Sequence, residues 1–168
     1  SREHLALLAE VSGALALHLD PQAVYATLAS LLVPRSADWC VLDALDDDGE
    51  VHETAIVHVD RTKAQLVAEM CRRSREAGGD GMWSVARAMR TGRSERVDDI
   101  TDADLARVAI DDDHLALLRT LSPRSAMVAP LVARGRVLGG ITLVSTGLRE
   151  LLGELLDYFD RHDLWKDT

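Results

Sequence analysis

A thiolate can serve as nucleophile or metal ligand, and this chain carries two cysteines, Cys40 and Cys71. They stand far apart in sequence, in neither a CxxC nor a metal-knuckle spacing, so both read as small buried apolar residues in a reducing compartment. The acidic turn Asp47-Asp48-Gly49 invites a calcium reading. With Gly49 at loop position six, however, position one is Ala44 and position twelve is Ala55, and neither can ligate. The glycine cluster of Gly78, Gly79 and Gly81 follows no strand and precedes no Lys-Ser or Lys-Thr, so it is no phosphate loop. No Ser-His-Asp or paired-carboxylate arrangement stands out. No metal site and no catalysis are expected. What remains are groups suited to binding: the carboxylate of Asp43, the imidazole of His58 and the indole of Trp83. His114, behind Asp111-Asp112-Asp113, reads as an exposed helix start and a poor haem ligand.

The 168 residues suit a single domain spanning the whole chain, with enough length to bury a core. A net charge of −9 with no basic stripe opposes phosphate backbones and acidic membrane surfaces, so neither nucleic acid nor membrane is an expected partner. No apolar run approaches a bilayer span, and the N-terminus lacks a signal pattern, which makes the expected location cytoplasmic. The first residue is Ser rather than Met, as in a piece of a longer protein.

These groups need elements to hold them, and the spacing supplies a central hairpin. Residues 125–133 and 136–145 are rich in small and β-branched side chains and flank Arg134-Gly135. Pro130 cannot donate to a ladder, which implies a bulge or unpaired position in the first strand. Gly139-Gly140 leaves room for another backbone or a ligand. Residues 38–46 and 50–59 form a second hairpin through Asp47-Asp48-Gly49. Leucine spacing predicts N-terminal helices over 3–18 and 21–33 and a C-terminal helix over 148–162, with the first stripe close to heptad spacing. Between the hairpins, Asp60 caps a helix through Leu66, Val67, Met70 and Cys71. A short helix from Trp83 ends at Gly92, 94–97 is a brief strand, and Thr101 with Asp104 resembles a capping box. A further helix covers 112–121. Hairpin strands are antiparallel, so the fold class is α+β.

Several segments also match a known pattern in order and spacing. They are His58-Val59-Asp60, the stretch VARAMRTGR ahead of Val97-Asp98-Asp99, and HLALLRTLSPRSAMVAPLVARGRVLGGITLVS from His114. From Ala55 to Ser145 the chain thus resembles a GAF domain, the small-molecule-sensing module of bacterial signalling proteins. The resemblance implies an antiparallel sheet of five to six strands, with terminal helices on one face and connecting helices over a cavity on the other. It also implies a signal-input role ahead of a histidine kinase or serine/threonine phosphatase output domain. Two departures stand out. The tail LRELLGELLDYFDRHDLWKDT is leucine-rich and lacks the usual asparagine-containing exit, which puts the output connection and the usual dimer helix in doubt. The NKFDE pattern of cyclic-nucleotide-binding members is absent, which argues against cyclic GMP or cyclic AMP.

Strand parity gives a first pocket. Cys40, Leu42 and Ala44 share an apolar face suited to the terminal helices, while Trp39, Val41 and Asp43 share the other. On the next strand His52, Thr54, Ile56 and His58 fall on one face. With the polar faces together, Asp43 and His58 look into the covered space. By similarity to GAF domains, Met82, Trp83 and Val85 roof the cavity, and Met127 with Thr142 line its floor. The expected ligand set is therefore Val41, Asp43, His58, Met82, Trp83, Val85, Met127 and Thr142, with the ligand and any cofactor unidentified.

The reading that follows is a non-catalytic, cytoplasmic regulatory domain, homodimeric through its terminal helices. A dimerisation or protein-interaction module with a collapsed cavity is the alternative. A thiol-dependent methionine sulfoxide reductase, a further class among free-standing GAF domains, needs a nucleophilic and a resolving thiol near the cavity, and neither cysteine is placed for it.

Overall fold

The computed structural model describes residues 29–33, 37–78, 81–133 and 135–147. The expected helices over 3–18 and 148–162, and most of that over 21–33, lie outside the described residues.

Among the described residues five strands build the sheet: β1 (Trp39–Leu45), β2 (Val51–His58), β3 (Glu95–Val97), β4 (Ser125–Ala133) and β5 (Arg136–Ser145). Their order is β2-β1-β5-β4-β3, and every neighbouring pair is antiparallel. Both expected hairpins form, and β5 and β1 lie side by side at the centre. Asp38 fastens that seam, its carboxylate accepting hydrogen bonds from the N–H of Thr146 at 2.6 Å and its hydroxyl at 2.8 Å.

The connecting helices begin and end where their cap residues stand. Asp60 caps a single 3-10 turn (Arg61–Lys63) that runs into α1 (Ala64–Glu76). Ser84 caps α2 (Val85–Thr91), which Gly92 closes in the left-handed region that glycine enters without strain. Thr101 and Asp104 form the reciprocal capping box of α3 (Asp102–Val108), so Asp reaches where Glu is usual. Asp111 caps α4 (Asp112–Leu121).

Two apolar clusters sit on opposite faces of the sheet. One joins Cys40, Leu42, Met127, Ile141 and Leu143 to Ala29, Leu32 and Val33, so the face assigned to the terminal helices does receive the chain preceding the sheet. The other joins Trp39, Val41, Ala126 and Val144 to Val67 and Met70 of α1 and to Leu118 and Leu121 of α4.

Two bulges set which side chain faces which cluster. Between β1 and β2 the register slips at Leu42/Asp43: Leu42 pairs with Ala55, but Asp43 pairs with Glu53, leaving Thr54 over. Between β4 and β5 it slips at Leu131/Val132, next to Pro130: Val132 pairs with Val137, but Leu131 pairs with Gly139, leaving Leu138 over. The irregularity lies one residue from the proline, but its extra residue belongs to β5, not to the strand that carries Pro130 as the sequence reading expected, and Pro130 itself pairs with Gly140.

Candidate functional site

The clearest concavity is a cavity of about 300 Å³ between the sheet and helices α1, α2 and α4. Its floor comes from the sheet and includes Trp39, Val41, Asp43 and Thr142. Its walls include Met70 and Cys71 of α1, Val85 and Met89 of α2, and His114 and Leu118 of α4, with Met82 and Trp83 from the segment entering α2. Gly140 makes that geometry possible. It pairs with Asp43, and a Cβ added there would overlap Cγ2 of Val85, so only a bare backbone lets α2 sit this low on β5. Gly139 serves the sheet itself, because a Cβ there would overlap the carbonyl oxygen of Asp43.

Six expected ligand-set residues therefore come together: Val41, Asp43, Met82, Trp83, Val85 and Thr142 all line the cavity. Met127 does not. It belongs to the opposite cluster, with Cys40 and Leu42, and is a correction to the sequence reading. A regular hairpin counted from Ala133–Arg136 pairs Met127 with Thr142, but the bulge moves the pairing to Met127 with Leu143 and reverses its face. The same effect at Thr54 separates His52 from His58: His52 pairs with Ala44, while Glu53 takes the place beside Asp43. His58 lies on the cavity side of the sheet but lines no part of the cavity. Its ring stacks on Trp39 with centroids 5.4 Å apart, and its Nδ1 accepts the N–H of Asp60 at 2.8 Å.

Asp43 is 3% exposed, and among the described residues its carboxyl has no hydrogen-bond partner. Burial, then the charge of Glu53, pushes it up to about 6, with Arg75 pulling the other way. An unpaired carboxyl poised near neutrality inside an apolar cavity can accept or donate a hydrogen bond to a guest.

His114 overturns the expectation of an exposed helix start. It is 4% exposed, lines the cavity, and its Nδ1 accepts the N–H of Ile110 at 3.1 Å. Desolvation holds it below the ordinary imidazole range, so the ring is neutral and its single proton sits on Nε2. The Nε2 atoms of His114 and His58 and the Nε1 of Trp39 are all buried and have no hydrogen-bond partner among the described residues. The sequence does hold a signal for His114, which stands one helical turn before the inward Leu118. Trp39 shares its strand parity with Val41 and Asp43.

Cys71 also lines the cavity, contrary to the expectation that its helix position removes it. Burial, then the charges of Glu53 and Asp43, pushes its thiol up to about 12, so it stays protonated and unreactive at neutral pH. Cys40 lies in the cluster on the far side of the sheet. No group of acidic, histidine and cysteine side chains suited to a metal occurs among the described residues.

The family model for the GAF domain matches residues 20–164. The chain belongs to the GAF family. GAF domains are regulatory and sensory modules, and generally not catalysts. No curated protein matches this GAF domain. Solved structures share its fold. The GAF domain of a phosphoenolpyruvate-protein phosphotransferase from Coxiella burnetii is 14% identical, with a TM-score of 0.61 over 96% of this chain and 90% of that one. The GAF domain of the cyanobacteriochrome TePixJ is 19% identical, with a TM-score of 0.55 over 88% and 86%. The phycocyanobilin-bound GAF domain of a cyanobacterial phytochrome is 13% identical, with a TM-score of 0.52 over 94% and 87%. At these identities the likeness is one of fold. No helix among the described residues is long and apolar enough to cross a membrane.

Proposed function

We propose that this GAF domain is a non-catalytic small-molecule sensor in a bacterial signal-transduction protein. The observation that carries the reading is the cavity of about 300 Å³, mostly apolar in its lining and holding the buried, unpaired carboxyl of Asp43. Its volume suits a small ligand, and a few polar groups among apolar walls are what orient one. The phycocyanobilin-bound GAF domain of a cyanobacterial phytochrome is an example of a small molecule held by a domain of this fold. Binding would bias an output domain elsewhere in a longer chain, of histidine kinase or phosphatase type, in a cytoplasmic homodimer. Thiol catalysis is disfavoured by Cys71, which is held as a thiol, and by Cys40, which has the sheet between it and the cavity.

The test is native mass spectrometry of the purified protein followed by a thermal-shift screen of nucleotides, haem, amino acids and aromatic acids. A compound at a hundred times its dissociation constant should stabilise the fold by about 2.7 kcal/mol. Asp43→Ala and Trp83→Ala should weaken its binding by calorimetry with little loss of folding. Unchanged affinity in both variants would remove the cavity from consideration.

A further inference from the structure

A carboxylate held in low dielectric without a cation or a hydrogen-bond donor is costly, so one that stands in a cavity wall points to a partner. Asp43 is 3% exposed and Thr142 7%, and both line the cavity. Neither the carboxyl of Asp43 nor the hydroxyl of Thr142 has a hydrogen-bond partner among the described residues. Their oxygens are nevertheless open. The ring nitrogens of Trp39, His58 and His114 are fully enclosed, whereas these side-chain oxygens keep accessible surface. Asp43 pairs with Gly140, and Val41 with Thr142, so Asp43 and Thr142 are diagonal neighbours on the cavity face of β1 and β5.

Asp43 also lacks a counterion. At neutral pH it is mostly ionised, since its value of about 6 lies below neutrality. Glu53, beside it on β2, adds a second negative charge. The guanidinium of Arg75, the cation among the described lining residues, is engaged by Glu53 at 3.4 Å. Two carboxylates therefore share one cation. His114 is neutral and Cys71 stays a thiol, so neither offsets the charge. Water can donate to a carboxylate but brings no charge. A protonated amine does both, and its hydrogen bond to a carboxylate is about twice as strong as a neutral one. The apolar wall suits rings. Thioethers make favourable contacts with aromatic rings, and an indole does so with rings and cations alike; Met70, Met82, Met89 and Trp83 line this space.

We infer that the cavity takes a small aromatic molecule bearing a protonated amine, whose N–H donates to the Asp43 carboxylate while its ring lies against the methionines and Trp83. This rests on the sensor reading above and gives its ligand a charge and a donor. Asp43 selects the cation, with the Thr142 hydroxyl beside it, and the apolar wall holds the ring.

Three probes with one ring system and three charges test it at neutral pH: tryptamine as cation, tryptophol as neutral alcohol and indole-3-acetate as anion. They are titrated by calorimetry, and into protein labelled at its methionine methyls. Tryptamine should bind roughly tenfold or more tightly than tryptophol, the value of one hydrogen bond to a charged group, and indole-3-acetate should bind most weakly. In the wild-type protein tryptamine should move the methyl resonances of Met82 and Met89 and leave that of Met127, on the far face of the sheet, in place. Asp43→Asn keeps the shape, removes the charge and relieves a buried carboxylate, so it should fold at least as well and bring tryptamine and tryptophol to near parity. Tryptophol or indole-3-acetate binding as tightly as tryptamine, or a preference for tryptamine that survives Asp43→Asn, would overturn the inference and leave the cavity as a binding site. Binding of none, with the Met82 and Met89 methyls unmoved, would also overturn it; the sensor reading falls with it when the thermal-shift screen is blank as well.

Discussion

Asp43 shows what a single residue contributes to this site and what it costs. Its folded-state pKa of about 6 lies above the ordinary 3.8 because the charged form is desolvated and faces Glu53. The folded protein thus binds more protons than the unfolded chain between roughly pH 4 and 6, and stability falls as pH rises through that window, by up to about 3 kcal/mol. His58 and His114 have lowered values, chiefly through desolvation, and act in the opposite sense. Their contribution is complete above the unfolded imidazole pKa of about 6.5 and is lost as pH falls towards the folded values. The two trends overlap, so total stability against pH does not separate them. Asp43→Asn does. We expect that variant to exceed the wild type by about 1–3 kcal/mol at pH 7.5 and to match it near pH 4, measured by urea denaturation. Equal stability at both pH values would show that the buried carboxyl carries no penalty. A residue that lowers stability at neutral pH in a cavity wall is one whose retention fits binding better than folding.

At the scale of elements, the two adjacent glycines of β5 do different work. Gly140 faces α2, and the atoms that crowd an added Cβ there belong to the Val85 and Met89 side chains. At Gly139 the obstacle is the backbone of β1, which no rotamer change relieves. Gly139→Ala should therefore destabilise by more than Gly140→Ala, for which overpacking predicts about 1–3 kcal/mol. Gly140→Ala should tilt α2 away and weaken ligand binding beyond its effect on stability. Denaturation midpoints that rank Gly140→Ala below Gly139→Ala would contradict this packing order. Much of the element level was legible in sequence, because caps are local chemistry: Asp60, Ser84-to-Gly92, Thr101 with Asp104, and Asp111 mark their own turns. The close approach at Gly139-Gly140 was legible too, although not what approaches. The faces of β2 and β4 were not. Thr54 and Leu138 are ordinary strand residues that become supernumerary only when two strands pair, and each reverses the parity of everything beyond it. At His114 the local signals conflict: three aspartates before it speak for solvent, its position one turn from Leu118 speaks for the core, and tertiary packing buries it.

For the molecule as a whole, the sheet divides the interior into two spaces with separate tasks. The face carrying Cys40, Leu42, Met127 and Leu143 is closed by residues 29–33, and Met127 there is fully buried. The other face combines a closed part, around Val67, Ile100 and Leu121, with an open cavity whose roof is Trp83. Stability and ligand affinity should then respond to different substitutions. Met127→Ala removes buried volume from a packed cluster and should cost about 2–5 kcal/mol, with any cavity ligand's affinity little changed once the folded fraction is allowed for. Trp83→Ala removes a side chain that is only partly buried and borders open space, so its stability cost should be smaller and its loss of affinity larger. Calorimetric titration and urea denaturation of both variants give four numbers and one crossing pattern. Parallel loss of affinity and stability in the two variants would mean that the sheet transmits packing from face to face and that the cavity is an extension of the core. The crossed pattern would mean that the ligand space can be reshaped without unfolding the layer beneath it, the separation a sensor domain requires for its cavity to vary while its fold persists.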